Sequence, residues 1–507
     1  MLKKYNLLAT IFGIVLTLSI SSCKKDRVPT AQETLIPGPD LNFFALTNDN
    51  KILSLNAKAP SSVAAQVTIS GLQANETILG IDFRPATGEL YAVGSTSRIY
   101  VINPKTGASR AISTVPFTPA INGTSVAFDF NPTVDRIRLV TSNGQNLRLN
   151  PETGTVQIED GAINGVTNAK VSSAAYSMNK AGAATTVLFD IDVVNNKLHK
   201  QDPPNNGTLV EIGSLGYDVD EAGGFDINPD GTVALAALSV ANKSALFSID
   251  LNTGKAAKIG NLAQTIIGLA IPTEAVAYAI ANNNELLIFN PLAITPTPVV
   301  KAITGIATGE SILGIDMRPL NGQLYALGST SRVYTINASS GLATPVGATT
   351  FTTLLIGAQF GFDFNPTVDR IRIVSNTGQN LRFNPADGAI TVDLPIVSTT
   401  AQVSGAAYTN NFAGSTTTML FDIDASGDRL YKQDPPNNGV LVDIGALGVN
   451  VEATNGFDIG STSGLAYGIF TVAGVQKLYA VNLTSGAATA GATITAAARG
   501  FTLGLGF

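Results

Sequence analysis

ILGIDFRPATGELYAVGSTSRIYVIN, residues 78–103, returns as ILGIDMRPLNGQLYALGSTSRVYTIN at 312–337. FDFNPTVDRIRLVTSNGQNLRLNP (128–151) returns as FDFNPTVDRIRIVSNTGQNLRFNP (362–385), and KQDPPNNG at 200–207 is unchanged at 432–439. The chain is two copies offset by about 233 residues, and a fixed period dictates architecture before any local reading. Each copy divides again. Residues 79–115 hold four short apolar runs, LGIDF, ELYAVG, RIYVIN and SRAIST, parted by turns carrying Pro85 and Gly88, Ser95 to Ser97, and Pro104 and Gly107. Runs of that length between Gly, Asn, Asp and Pro turns, four to a unit of about 40–45 residues, predict β-propeller blades.

The series recurs from AFDFNP (127–132), from VLFDID (187–192) and from GGFDINPDG (223–231), and the second copy repeats it. IIGLAI (266–271) reads as a further first strand, followed by VAYAIAN. FFALTN, KILSLN and AQVTIS supply three strands at the N-terminus, and GFTLGLGF (500–507) supplies one at the C-terminus. A propeller removes its open sheet edges when its last strand completes its first blade. The expectation is an all-β chain, a β-propeller of about ten four-stranded blades in two homologous five-blade halves, 41–272 and 273–507. Pro272-Thr273-Glu274 is as short as a hairpin within a blade, which favours one ten-blade ring; two five-bladed propellers are the alternative.

The motifs GIDFRP, GELYAVG, RIYVINPKTG, DRIRLV, GQNLRLNP and DPPNNG resemble a bacterial family, domain of unknown function 4394. The resemblance covers nearly all of 41–507 in two copies. It implies a secreted β-propeller and carries no catalytic residues across.

Lys3 and Lys4, the apolar run Leu7 to Ile20 and then Ile20-Ser21-Ser22-Cys23 have the order of an export signal, 1–22, ending in a lipobox. The apolar run is shorter than the ~20 residues that a spanning helix needs. Cys23, the only cysteine, is then the lipidation site, and 23–40 is a Pro-containing tether. Lys24, rather than Asp, follows the cysteine, so the reading is a lipid-anchored protein of the outer membrane, facing the periplasm, with the cell surface as the alternative.

Net charge is −6, and loss of residues 1–22 removes two lysines and no acid, leaving −8. No basic stripe is present to displace the counterions of a nucleic acid, so that partner class is excluded. The partners expected are the membrane, through the lipid, and a protein, glycan or small ligand. The one histidine, His199, is replaced by Tyr431 in the second copy, and the one cysteine is spent on lipid, which argues against a nucleophile–histidine apparatus. Trp is absent, and Tyr91, Tyr100, Tyr325 and Tyr334 alternate within strands as core residues.

Two sets of side chains remain as site candidates. Acids recur on the runs read as first strands: Asp82, Asp129, Asp190, Asp226, Asp316, Asp363, Asp422 and Asp458. Of these, Asp82, Asp129, Asp316 and Asp363 are the candidate ligands for a hard cation such as Ca²⁺. The competing reading has them accepting backbone N–H bonds, and Ala270 and Gly506 interrupt the row. The second set, Arg136, Arg138, Arg370 and Arg372, lies two to a strand face, able to fork onto a carboxylate or sulfate ligand or to tie neighbouring blades. A non-enzymatic binding or scaffold module is the leading function. A carboxylate-based hydrolase or lyase, with or without Ca²⁺, and a purely structural envelope protein are the alternatives.

Overall fold

The computed structural model describes residues 34–347, 350–397 and 401–507; the segment 1–22 expected to be an export signal, and Cys23, lie outside them. Among the described residues the chain forms ten four-stranded antiparallel sheets, and residues 36–507 make one compact unit. Each sheet is a propeller blade. No helix among the described residues is long and apolar enough to cross a membrane.

The local chemistry of the blades is plain. Inner and middle strands are packed on both faces by neighbouring blades, so they read as continuous apolar runs such as LYAVG (Leu90–Gly94), buried throughout. Outer strands such as Thr155–Glu159 are mostly exposed. The third and fourth strands join through a repeated turn, NPKTG, NPETG, NASSG, NPADG or NLTSG. Its leading Asn bonds the N–H two residues on, as Asn103 does with Lys105 at 2.9 Å. Its last residue has positive φ, +76° at Gly107 and +74° at Gly341, where any side chain would be strained.

Ring number departs from expectation. The strand Ile266–Ala270 pairs with Asn42–Thr47, Phe44 lying opposite Ala270 and Leu46 opposite Gly268. It therefore completes the first blade, whose other strands are Lys51–Asn56 and Ala65–Thr68, and does not begin a blade with VAYAIAN. Blades 2 to 5 begin with Ile78–Phe83, Val126–Asn131, Val171–Tyr176 and Glu221–Ile227. The last strand, Ala498–Leu503, pairs with Ala277–Ala281 and completes blade 6, leaving the N-terminal strands to the first ring. Blades 7 to 10 begin with Ile312–Arg318, Phe360–Asn365, Val403–Tyr408 and Ala453–Ile459. The preferred single ten-blade ring is thus corrected to two closed five-blade rings. Pro272-Thr273-Glu274 is the crossing between them. It suffices because the rings touch: the Tyr278 hydroxyl donates to Ala86 O at 2.8 Å, and Gly506 N–H to Thr87 O at 2.8 Å.

Both closing strands pack against glycine. A Cβ on Gly224 (φ +136°) would sit 2.2 Å from Leu269 N, and one on Gly456 (φ +127°) 2.4 Å from Phe501 N. Between successive blades lie the cores, for example Phe189, Ile191 and Leu198 of blade 4 against Phe225, Leu238 and Phe247 of blade 5. Each fully buried side chain of this kind contributes about 1.5–3 kcal/mol.

A second correction concerns blade 4. Its inner strand is Val171–Tyr176, and Leu188–Asp192 is the second strand. Asp190 and its counterpart Asp422 therefore stand off the axis.

Candidate functional site

Asp82, Asp129 and Asp226 converge at the centre of the first ring, and Asp316, Asp363 and Asp458 at the centre of the second, with one oxygen of each within 4.8 Å of the others. All six are at most 1% exposed. Asp226 and Asp458, members of the row but not singled out as cation ligands, complete each triad. The interruptions fall at Ala175 and Ala270 in the first ring. In the second, Thr502, rather than Gly506, sits level with the acids.

The geometry explains why three acids serve five blades. At this level five backbone N–H groups point inward in the first ring, those of Phe83, Phe130, Tyr176, Ile227 and Ile271. Asp82 accepts from Phe83 (2.7 Å) and from Phe130 of the next blade (2.7 Å). Asp129 accepts from Tyr176 (2.9 Å), and Asp226 from Ile227 (2.6 Å) and Ile271 (2.6 Å). A carboxylate bonds its own following N–H only where the preceding blade offers alanine. No amide of this girdle is left without an acceptor. In the second ring Asp316 takes Phe364, Asp363 takes Tyr408, and Asp458 takes Ile459 and Leu503. The Thr502 hydroxyl adds a bridge to Asp316 (2.9 Å) and Asp458 (3.0 Å).

Burial, followed by the neighbouring carboxylates, holds Asp82, Asp129, Asp316 and Asp363 well above the usual carboxylate range. Burial pushes Asp226 up to about 7 and Asp458 to about 6. Three ions at this spacing in a buried cluster repel one another, which favours retention of protons on each triad.

The arginines lie elsewhere. Arg138, 2% exposed, donates to Asn146 (2.7 Å), Asp160 (2.7 Å), Asn205 (2.9 Å) and the Tyr176 hydroxyl (3.3 Å). Arg372, 1% exposed, repeats the set with Asn380, Asp393, Asn437 and Tyr408. Both bolt blade to blade. Asn205 and Asn437 belong to the 3-10 turns Pro204–Asn206 and Pro436–Asn438, which gives the unchanged DPPNNG segment its place in the structure. Arg136 bonds Gln157 and Asp135 O, and Arg370 bonds Asp369 O. Sequence reasoning missed a further bolt: Arg84 of blade 2 clasps Asp135 of blade 3 with both ends of its fork, at 2.9 and 2.6 Å, and Arg318 does the same to Asp369. Its signal was available in the repeated Arg-Pro of GIDFRP, and in the Arg318 of GIDMRP.

The sequence profile described as domain of unknown function 4394 matches residues 51–270 and again 285–502. The chain belongs to this family. Each match of the DUF4394 profile falls within one ring, starting inside its first blade and ending with the closing strand, so one copy of the domain corresponds to one five-blade propeller. No curated protein matches the chain.

Two off-axis acids set a pH dependence. Asp190 and Asp422 are fully buried, with neither oxygen hydrogen-bonded, and burial, opposed by Arg138 or Arg372, pushes each up to about 8. The folded chain thus keeps protons that the unfolded chain releases near pH 4. The stability that these two groups contribute falls as pH rises from about 4 to about 8, and their contribution is flat on either side. In thermal melts, Asp190→Asn with Asp422→Asn, which fixes the neutral shape, should raise Tm at pH 8 by about 5 °C or more and leave it unchanged near pH 4. An unaltered pH slope would show that these acids ionise within the fold.

Proposed function

We propose that this protein is an exported lipoprotein whose two rings form a rigid, non-catalytic binding or scaffold module, held at the outer membrane by lipid on Cys23. The observation that carries the non-catalytic reading is the spending of the axial carboxylates. They sit where a propeller would gather chemistry, yet they are at most 1% exposed and each gives one oxygen to a backbone N–H of the next blade. Binding then falls to the loops and rim. The partners proposed are the membrane, through the anchor, and a protein, glycan or small ligand.

The convergence of three carboxylates within 4.8 Å favours the second reading, a carboxylate-based hydrolase or lyase with or without Ca²⁺. Full-length protein incubated with envelope glycans and peptides separates the two. The scaffold reading expects saturable retention without turnover, unchanged in Asp129→Asn and Asp363→Asn. Turnover lost in those variants, or a Ca²⁺-dependent rise in Tm lost with them, would replace it with the second. For the anchor, Cys23→Ala should abolish labelling by a radioactive fatty acid and empty the outer-membrane fraction. Labelling that survives the substitution would remove the lipid from the proposal.

A further inference from the structure

The two rings make matching rim contacts around their third blades and the links to the blades on either side, so residues there correspond one to one. The Gln145 side chain bonds Ala120 O and Asn122 N, and Gln379 bonds Leu354 O and Ile356 N. Asn146 bonds Gly161 O, and Asn380 bonds Leu394 O. Ile163 N–H meets Gly144 O and Ile396 N–H meets Gly378 O, which places Asn164 level with Val397. Asp202 N–H meets Thr208 O and Asp434 N–H meets Val440 O.

Across this correspondence the first ring carries Ala120, Asn122, Gly161, Asn164 and Thr208. The second carries Leu354, Ile356, Leu394, Val397 and Val440, which are 60%, 62%, 61%, 84% and 45% exposed. The first ring shows that the fold asks for no apolar group here: Asn164 and Thr208 bond each other at 3.2 Å. Five aliphatic side chains at the same places in the second ring are exposed and have no counterpart role among the described residues.

We infer that this rim of the second ring is the interface for a second copy of the chain, face to face about a twofold axis. Two features of the patch select that occupant. Five such side chains present roughly 450 Å² of apolar surface, close to the apolar share of the ~800 Å² that each partner buries in a standard-size, non-obligate interface. The patch is also uncharged: Asp393 on its border is held by Arg372 and Arg382, and Asp434 by Lys432. An uncharged apolar face meets its own copy without repulsion. Its five exposed side chains are all aliphatic, and the Arg382 and Lys432 beside them are engaged by Asp393 and Asp434 rather than free for lipid headgroups.

The test is the mass of the full-length chain in mild detergent, by light scattering with the detergent subtracted. Wild type should be a dimer at about 10 µM. Ile356→Asn, Val397→Asn and Val440→Thr together install the first ring's own residues, which this rim already accommodates. They should weaken association at least ~100-fold at unchanged Tm. The matching exchanges in the first ring, Asn122→Ala with Asn164→Ala, should leave the dimer intact. A monomeric wild type, or a variant that stays dimeric, overturns the assignment. So does a monomer that floats with lipid vesicles through Val397, which would give the face to the membrane.

Discussion

Truncation after Ala497 should open the second ring and leave the first closed. The lost segment contains the strand Ala498–Leu503, which supplies the inner strand of blade 6 and the buried Phe501, Leu503 and Leu505. It also supplies Leu503 N–H and the Thr502 hydroxyl to Asp458. Removing it bares the inner edge of Ala277–Ala281 and leaves a buried carboxylate short of donors. Burial of three large apolar side chains alone contributes about 5–9 kcal/mol, of the order of a domain's whole stability. The first ring loses only a dock, Gly506 against Thr87. Hydrogen exchange should therefore show fast exchange across 277–497 and retained protection across 42–270. Uniform loss of protection would mean that the rings fold as one unit. Loss confined to 42–70 would restore the single ten-blade ring.

Arg138→Ala should cost about 3–5 kcal/mol, the usual penalty for removing one partner of a buried ion pair. The guanidinium is the common partner of Asp160, Asn146 and Asn205, two of which come from blade 3 and one from the turn that leads into blade 4's outer strand. Without it Asp160 keeps only Arg148, whose side chain is 23% exposed. Arg372→Ala should cost about the same in the second ring, since Asp393 keeps only Arg382, 31% exposed. Denaturant melts read by exchange in each ring check both. A ligand-binding arginine would behave otherwise, its removal leaving stability within about 0.5 kcal/mol.

Blade number and strand-level periodicity were legible because every blade reuses the same turns and apolar runs. Ring number was not. IIGLAI is an apolar inner strand in either arrangement, and its partner is set by which sheet edge stands open beside it. Blade 4 was misread for a compositional reason. Its inner strand VSSAAY is built of small residues and looks like a linker, while its second strand LFDID mimics the FDFN of true inner strands. The axial acids were legible as a row and their bonding to backbone was foreseen in kind. Their grouping in threes depends on which inner strands carry alanine or threonine at that level, a fact of three-dimensional order. The arginine bolts were visible as residues, but their partners on neighbouring blades lie up to 67 positions away.

The early return of Ile266–Ala270 to the first blade bears on the order of assembly. A polypeptide emerging N-terminus first, from a ribosome or a secretion pore, can finish one propeller as soon as Ile271 is clear, with 236 of its 507 residues still to come. A single large circle would have had to wait for its final strand, keeping raw strand edges uncovered throughout. The tandem arrangement limits that hazard to one half at a time.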